Sequence, residues 1–244
     1  MYVLPYSPPL SESKEESMNI QVVNNGRISY ADALSQQEQY FRDAVAVHRS
    51  GRPAQHRLFF NEHHPVLTLG KHADPHNILF PKEALAEAGV EVYRTTRGGD
   101  VTYHGPGQWT VYPVFDLMEL GLGVRDYVHA LEEVAIRVLG TYDLVGERIH
   151  GASGVWMHTD TPMPRKVCAI GIKASHFITM HGIAFNVSVP PQAFHWINPC
   201  GFTDKGVTNL SLEVGHRVSM DEAYHRLTTA FSQVFDRPLE PLTL

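Results

Sequence analysis

Three long segments of the chain carry apolar residues at every third or fourth position, which is the spacing of an amphipathic helix. The first covers residues 30–49 and is followed by Gly51, a helix stop signal. The residues predicted on its inner face are Leu34, Phe41, Val45 and His48. The second covers residues 124–139. The third opens with Ser219 and Glu222, which have the spacing of a capping box.

Shorter segments rich in β-branched and aromatic residues predict strands between these helices. The predicted strands are residues 20–23, 57–60, 66–69, 91–95, 108–115, 154–157, 167–173 and 178–187. A short helix, with Pro81 near its start and Gly89 beyond its end, interrupts them.

The order of these elements predicts an α+β protein with a mixed sheet flanked by helices. The body shows no internal repeat and no linker, so we predict one domain over residues 19–244. Residues 1–18 are polar and rich in Pro and Ser, and we predict a tail without regular structure.

Composition and charge argue against several functional classes. The chain has 244 residues and two cysteines, too few for a disulfide framework, which indicates a reducing compartment. The sequence shows neither a leader peptide nor an apolar run of membrane-spanning length, so we expect a cytoplasmic protein that does not bind membranes. A formal net charge of −6 argues against nucleic acid as a partner.

The segment RGGDVTYHGPGQ, residues 97–108 (the glycine-rich segment), contains four glycines and a proline. Glycine backbone can approach a ligand closely because no Cβ intervenes. A binding loop and a simple hairpin between two strands explain this composition equally well. The segment lacks the ending of a phosphate-binding loop.

The two cysteines have different surroundings. Cys200 lies between Pro199 and Gly201, which predicts an accessible turn and a reactive thiol. Cys168 lies within the apolar run VCAIGI, which predicts a buried structural thiol. Lys166 begins this run and, on its own, is explained as a solvated residue at a strand end.

Several of these motifs together resemble the lipoyl(octanoyl) transferase family. The motifs, in the family's order, are HHPVLTLGK, RGGDVTYHGPGQWTVYP, KVCAIGIK, HGIAFNV and INPCG. The resemblance extends over roughly residues 20–235. Lys71 stands where the family commonly has arginine, and the N-terminal tail has no counterpart.

The resemblance implies the fold of the biotin and lipoate protein ligases. It also implies transfer of an octanoyl group from the phosphopantetheine thioester of acyl carrier protein to a lysine of a lipoyl domain. The acceptors would be the lipoyl domains of 2-oxoacid dehydrogenase complexes and the glycine cleavage H protein. No cofactor or metal would be needed.

The resemblance also implies roles for individual residues. Cys200 would carry the acyl group as a thioester, and Lys166 would transfer protons. His104 is the best polar candidate for orienting the site, although a packing histidine also fits. The implied acyl pocket comprises Arg97, Gly98, Gly99, Asp100, Val101, Thr102, Tyr103, His104, Ala169, Ile170, Gly171, Gly182, Ile183 and Ala184.

Three other interpretations remain. An ATP-dependent lipoate or biotin protein ligase would share the fold but needs no cysteine. A non-catalytic protein of this fold would have no use for both Cys200 and Lys166. A zinc enzyme is suggested by the 15 histidines, of which His63, His64, His72 and His76 lie close together in sequence. Their spacing matches no zinc-binding helix.

Overall fold

The computed structural model describes residues 19–198 and 205–242. A nine-stranded sheet dominates the structure, with strand order β12-β1-β2-β6-β10-β9-β8-β7 and β11 beside β9. Its strands are β1 (Ile20–Ile28), β2 (His56–His63), β6 (Gln108–Val114), β7 (Glu147–Ile149), β8 (Ala152–Met157), β9 (Arg165–Ser175), β10 (Ile178–Asn186), β11 (Gly206–Val207) and β12 (Leu239–Pro241). β1 is parallel to β2 and β12, and β11 is parallel to β9, while the remaining pairs are antiparallel. The sheet is therefore mixed.

A second, three-stranded sheet has the order β4-β3-β5. Its strands are β3 (Val66–Leu69), β4 (Glu91–Arg94) and β5 (Val101–His104). The helices are α1 (Tyr30–Arg49), α2 (Lys82–Glu87), α3 (Val124–Gly140), α4 (Leu210–Val214) and α5 (Met220–Phe235).

The two faces of the large sheet have different partners. One face packs against α3 and α5 and forms the largest apolar core, which includes Leu131, Phe185 and Phe231. The opposite face packs against α1, and the small sheet lies on the same side with its own apolar cluster around Leu67. Side chains of β6, β9 and β10 that point to this second side line a cavity shared with the small sheet. The cavity therefore lies on the face opposite the main core.

The predicted helices and fold class are confirmed. The Ser219 side chain caps α5 by accepting the Glu222 N–H at 3.0 Å, as the capping box predicts. The inner face predicted for α1 is confirmed in part, because Phe41 and Val45 pack, half-buried, against the apolar cluster on this side of the sheet. The most buried residues of α1 are instead Tyr30, Ala33, Gln37 and Ala44, and a pattern built on large apolar residues does not register small or polar ones.

The glycine-rich segment divides into three parts. Residues 101–104 form β5, which pairs antiparallel with β3, so this part is not a loop. Residues 97–100 form the turn that precedes β5, and residues 105–107 connect β5 to β6, which begins at Gln108. The structure thus combines the two explanations left open by composition.

No helix in the described parts of the chain is long and apolar enough to cross a lipid bilayer.

Candidate active site

A cavity of about 980 Å³, part of it open to solvent, lies between the large and the small sheet. We call it the inner cavity. Its floor is formed by small residues on the central strands: Ala169 and Gly171 of β9, and Gly182 and Ala184 of β10. Successive side chains of a strand point to opposite faces, so the side chains of the alternate residues Ile183 and Phe185 belong to the core below. Small residues on the upper face leave room for a slender ligand.

Two floor glycines are required by close contacts. A Cβ on Gly182 would lie 2.3 Å from the Val111 carbonyl oxygen. A Cβ on Gly171 would lie 3.0 Å from the Gly98 carbonyl oxygen. Any side chain at Gly182 must displace backbone, and one at Gly171 crowds the turn above it.

The turn of the glycine-rich segment is bonded to both sheets. The Gly98 N–H donates to the Ile172 carbonyl on β9 at 2.8 Å. On the other side, the Gly70 N–H donates to the Asp100 carbonyl at 3.1 Å. A Cβ on Gly70 would lie 2.2 Å from the Gly99 oxygen, so only glycine permits this approach. The turn therefore closes one wall of the cavity.

Arg97 is fixed by the small sheet. Its Nη2 donates to the Thr68 carbonyl at 2.6 Å and to the Thr68 hydroxyl at 2.9 Å, and Nη1 donates to the Gly98 carbonyl at 3.0 Å. The side chain is buried. These bonds place its cationic group within the cavity wall, where it favours anionic over cationic neighbours.

His104 has both ring nitrogens occupied. Nδ1 lies 2.7 Å from the Gln108 side-chain oxygen, and Nε2 lies 3.2 Å from the Thr68 hydroxyl. The Gln108 oxygen can only accept, which assigns the proton to Nδ1. Burial lowers the pKa of His104 to about 3. His104 is therefore a neutral residue that positions its neighbours, and it is poorly suited to act as a base.

The end of the inner cavity near α1 is polar and aromatic. The Tyr112 hydroxyl lies 2.8 Å from Nε2 of His63, and the Tyr112 and His181 rings meet edge to face at 6.4 Å. Burial lowers the pKa of His63 to about 4 and that of His181 to about 3. His181 has a φ of 59°, and its N–H donates to Gln37 of α1 at 2.5 Å. Left-handed backbone at a non-glycine residue costs about 1 kcal/mol or more, which this bond helps offset.

A bulge in β9 directs Lys166 into the inner cavity. β8 and β9 pair Val155 with Cys168 and Trp156 with Lys166, so Val167 is an extra residue on β9. Val167 and Cys168 are consecutive, yet both are buried in the main core. Lys166 and Ala169 therefore both line the cavity, although an odd spacing places side chains of a regular strand on opposite faces.

Of the two cysteines, Cys168 lies within the described residues. Cys168 is fully buried on the core face, opposite the cavity. Burial raises its pKa far above that of a free thiol. The prediction that Cys168 is a structural thiol is thereby supported, because a nucleophile must ionise and reach substrate. Cys200 lies outside the described residues.

The structure brings most of the implied acyl-pocket residues together. Those lining the inner cavity are Arg97, Gly99, Asp100, Val101, Thr102, His104, Ala169, Ile170, Gly171, Gly182, Ile183 and Ala184, together with Lys166. Gly98 lines a neighbouring cavity instead. Tyr103 points away from the site, with its ring 5.4 Å from that of Phe194 and its side chain in the cluster of the small sheet.

Sequence reasoning missed several lining residues: Tyr30, Thr110, Tyr112, Trp156, His181, Asn186 and Lys205. On β6 the signal was present, since Gln108, Thr110 and Tyr112 are polar and alternate with apolar residues. Tyr30 gave no such signal, because it only begins a helix.

Two of the histidines that suggested a zinc site, His63 and His76, have different environments. His63 is buried and bonded to Tyr112, while His76 is exposed and bonded to Asp74 at 2.7 Å. In residues 19–198 and 205–242, no three His, Cys, Asp or Glu side chains are grouped to hold a metal ion.

Comparison with known proteins shows the family. The lipoyl protein ligase A/B catalytic domain matches residues 29–232. A protein of Parabacteroides distasonis named octanoyltransferase is 50% identical over 86% of this chain and 96% of its own length. A Bacteroides fragilis octanoyltransferase is 46% identical over 82% of this chain and 90% of its own length.

Solved structures show the same fold. The bipartite lipoate protein ligase of Thermoplasma acidophilum superposes with a TM-score of 0.67 at 14% identity, covering 92% of this chain and 87% of that one. A lipoate-protein ligase A bound to ATP gives a TM-score of 0.67 at 15% identity, covering 92% and 89%. Together with the family match over most of the chain, these findings show that the protein is an acyltransferase and belongs to the octanoyltransferases of the lipoyl protein ligase A/B catalytic domain family.

Proposed function

We propose that the protein transfers an octanoyl group from the phosphopantetheine thioester of acyl carrier protein to a specific lysine of a lipoyl domain. Cys200 carries the group as a thioester between the two steps. The observation that carries this proposal is the inner cavity, whose floor of glycine and alanine ends at the ammonium-bearing Lys166. Each methylene buried there contributes about 0.8 kcal/mol to binding.

The described residues beside the cavity are compatible with a cysteine near Lys166. Lys205 lines the inner cavity, and Val207 of β11 pairs with Lys166 of β9. Cys200 precedes Lys205 by five positions in the sequence. A chain of five residues reaches at most about 17 Å, a span that is compatible with the role proposed for Cys200.

In the first step, the Cys200 thiolate attacks the thioester carbon of the donor. A new carbon–sulfur bond forms, the bond to the phosphopantetheine sulfur breaks, and that sulfur takes a proton from the Lys166 ammonium. A neighbouring ammonium favours the thiolate form of a cysteine, so the same group promotes attack and protonates the leaving thiol.

In the second step, the ε-amine of the acceptor lysine attacks the acyl carbon. The amide bond forms, the bond to Cys200 breaks, and neutral Lys166 takes the proton from the attacking amine. Lys166 returns to the ammonium form and Cys200 to the thiolate. The acceptors are lipoyl domains of 2-oxoacid dehydrogenase complexes and the glycine cleavage H protein. The cycle balances without ATP, a cofactor or a metal.

Intact-mass measurement after mixing with octanoyl-acyl carrier protein tests this proposal. The wild-type chain should gain the mass of one octanoyl group, and lipoyl domain should then remove it. Cys200→Ser should gain no stable acyl mass, whereas Cys168→Ser should still be acylated. An equal loss of acylation in both folded variants contradicts the assignment of Cys200 as the acyl carrier.

The same assay distinguishes the proposed transferase from an ATP-dependent ligase. A ligase would modify lipoyl domain in the presence of free octanoate and ATP without carrier protein. The transferase proposed here should leave lipoyl domain unmodified under those conditions.

A further inference from the structure

A second cavity, the outer cavity, opens beside the inner one. It encloses about 1050 Å³, including space open to solvent. Its own lining residues are His72, Gly98, Val128, Gly151, Ala152, Ser153 and Ile172. They come from the start of α3, the start of β8 with the residue before it, the turn of the glycine-rich segment, β9 and the segment that follows β3.

The two cavities meet at Lys166. Both are lined by Gly99, Asp100, Lys166, Ile170 and Gly171. A ligand that spans both cavities therefore passes these five residues, of which Lys166 carries the ammonium group. A thioester donor could span both cavities, because its acyl chain and its sulfur-linked arm extend in different directions from the reacting carbon.

The wall between Lys166 and the outer cavity is an open strand edge. β8 pairs with β9 only as far as Val155 and Cys168, and the pairing ends at Gly154, which has a φ of 115°. The next bond on that side of β9 is from Gly98 to the Ile172 carbonyl.

Alternate residues of a strand direct their N–H and C=O groups to the same side. Ile170 lies midway between Cys168 and Ile172, so its peptide groups point to this open edge. No strand of residues 19–198 or 205–242 pairs with β9 there. An exposed edge offers hydrogen bonds to any extended chain that carries amides.

We propose that the outer cavity binds the pantetheine arm of the acyl donor, with an amide of the arm bonded to the open edge of β9 at Ile170. This rests on the proposed function. The arm is a slender chain with two amides, a thiol at one end and, beyond a carbon that carries two methyl groups, a phosphate at the other. Its thiol end lies at Lys166 when the acyl chain occupies the inner cavity.

Two side chains near the outer cavity suit the phosphate end. His72 lines the cavity and is exposed. Arg125 precedes Val128 by three positions on α3, which places it on the same helix face one turn nearer the start. An arginine there can bind a phosphate that emerges from the cavity.

The alternative occupant, the acceptor lysine, suits the outer cavity less well. A lysine side chain has four methylenes and one amine, so it makes no use of a strand edge. Asp100 is the carboxylate among the lining residues. Its Oδ2 accepts from the Asn77 amide and its Oδ1 from the Asp74 N–H at 3.1 Å. The carboxylate is thus already engaged rather than directed at an incoming ammonium.

The test compares two donors, S-octanoyl-pantetheine and the octanoyl thioester of ethanethiol, which lacks both amides. We expect wild-type acylation to favour the pantetheine donor in kcat/KM by about tenfold or more. Val128→Trp fills the outer cavity from α3, and Ser153→Trp fills it from β8. Both should reduce the preference to near unity. Val145→Trp, at a site 73% exposed and outside both cavities, is the matched control and should retain it.

Two further readouts distinguish the possible failures. Calorimetry should show that phosphopantetheine alone binds the wild type and Val145→Trp but not Val128→Trp, whether or not acyl transfer occurs. Deacylation of preloaded enzyme by lipoyl domain should be unaffected by filling the cavity. Slower deacylation with unchanged donor preference overturns the proposal in favour of the acceptor lysine. An equal loss of kcat/KM for both donors in the cavity-filling variants overturns the proposal as well. Binding of phosphopantetheine without any acylation refutes the proposed function and leaves the arm site standing.

Discussion

The ammonium nitrogen of Lys166 lies 4.4 Å from the centroid of the Trp156 indole ring. The two residues are register partners on β9 and β8. Trp156 is itself held by a bond from its indole N–H to the Ala152 carbonyl at 3.0 Å. A cation over an aromatic face is stabilised by about 0.5–2 kcal/mol, more where water is excluded. Trp156 is therefore a positioning residue for the proposed proton carrier.

Replacing Trp156 tests this role. Trp156→Leu should slow transfer roughly 5- to 30-fold, which corresponds to about 1–2 kcal/mol of lost cation–π stabilisation. Trp156→Phe keeps an aromatic face and should restore most of the rate. Both variants open space in the structure, so the rates are compared at a temperature where circular dichroism shows both folded. Equal rates for the two variants would mean that the ring only fills space.

Lys166→Arg should separate the two chemical steps. Arginine keeps the positive charge but stays protonated, so it can favour the thiolate and cannot accept a proton from the acceptor amine. Acyl-enzyme should accumulate with octanoyl-acyl carrier protein and persist after lipoyl domain is added. Intact mass followed over time measures both steps.

Lys173→Arg is the matched control, since Lys173 lies on the same strand with its ammonium over the Phe41 ring at 5.1 Å. The Lys173→Arg variant should be acylated and deacylated at the wild-type rates. Deacylation of Lys166→Arg at the wild-type rate would exclude Lys166 as the base. His104, with both ring nitrogens occupied and a low pKa, would be a poor replacement.

Ala184→Leu should shorten the acyl chain that the protein accepts. Ala184 is buried on the cavity floor opposite Ala169, so a larger side chain takes the volume of about three carbons of the ligand. Each methylene excluded costs about 0.8 kcal/mol of binding, which should move the preference from octanoyl toward butyryl or hexanoyl.

Competition between acyl-carrier proteins loaded with four-, six- and eight-carbon chains measures this preference. Ala174→Leu, on the same sheet but outside the cavity lining, should still prefer the octanoyl group. An unchanged preference in Ala184→Leu would place the acyl chain elsewhere.

The buried histidines predict a loss of stability in acid. Burial lowers the pKa values of His63, His104 and His181 to about 4, 3 and 3, below the roughly 6.5 of an unfolded histidine. The unfolded chain therefore binds protons first, so stability is present above pH 6.5 and is lost as pH falls toward 4. Three such groups reduce the free energy of unfolding by up to roughly 4 kcal/mol per pH unit.

Urea unfolding at several pH values between 7.5 and 4.5 measures this slope. His104→Gln removes one of the three titrating groups and should make the slope shallower by about a third. A slope that His104→Gln leaves unchanged would show that His104 is protonated in the folded protein.

Sequence reasoning predicted the fold from apolar spacing and much of the cavity lining from motifs. The helices and most strands follow from apolar spacing, because one side of each element is buried in a core. The floor residues Ala169, Gly171, Gly182 and Ala184 were found through motifs, since small residues on a strand do not by themselves indicate a cavity. Strand alternation counted from Ala169 would have placed Lys166 on the wrong face.

Other features of the site depend on contacts between distant segments. Tyr30 lines the cavity, and Gln37 accepts a bond from the cavity residue His181, through the packing of α1 on the sheet, which no local pattern specifies. Tyr103 and His104 are adjacent in one motif, yet β5 directs them to opposite sides. The outer cavity lies where the pairing of β8 with β9 ends at Gly154, and a single glycine within a strand does not reveal that end.

The extra residue Val167 makes the irregular pairing of β9 part of the chemistry. If β8 and β9 paired as a regular ladder with Val167 retained, Trp156 would pair with Val167, and Lys166 would turn toward α3 and away from the acyl group. The protein could then keep its architecture and every side chain named in the mechanism, and still have no proton carrier at the reaction centre. In this part of the chain, a slip of one residue in strand pairing is equivalent to the loss of a functional group.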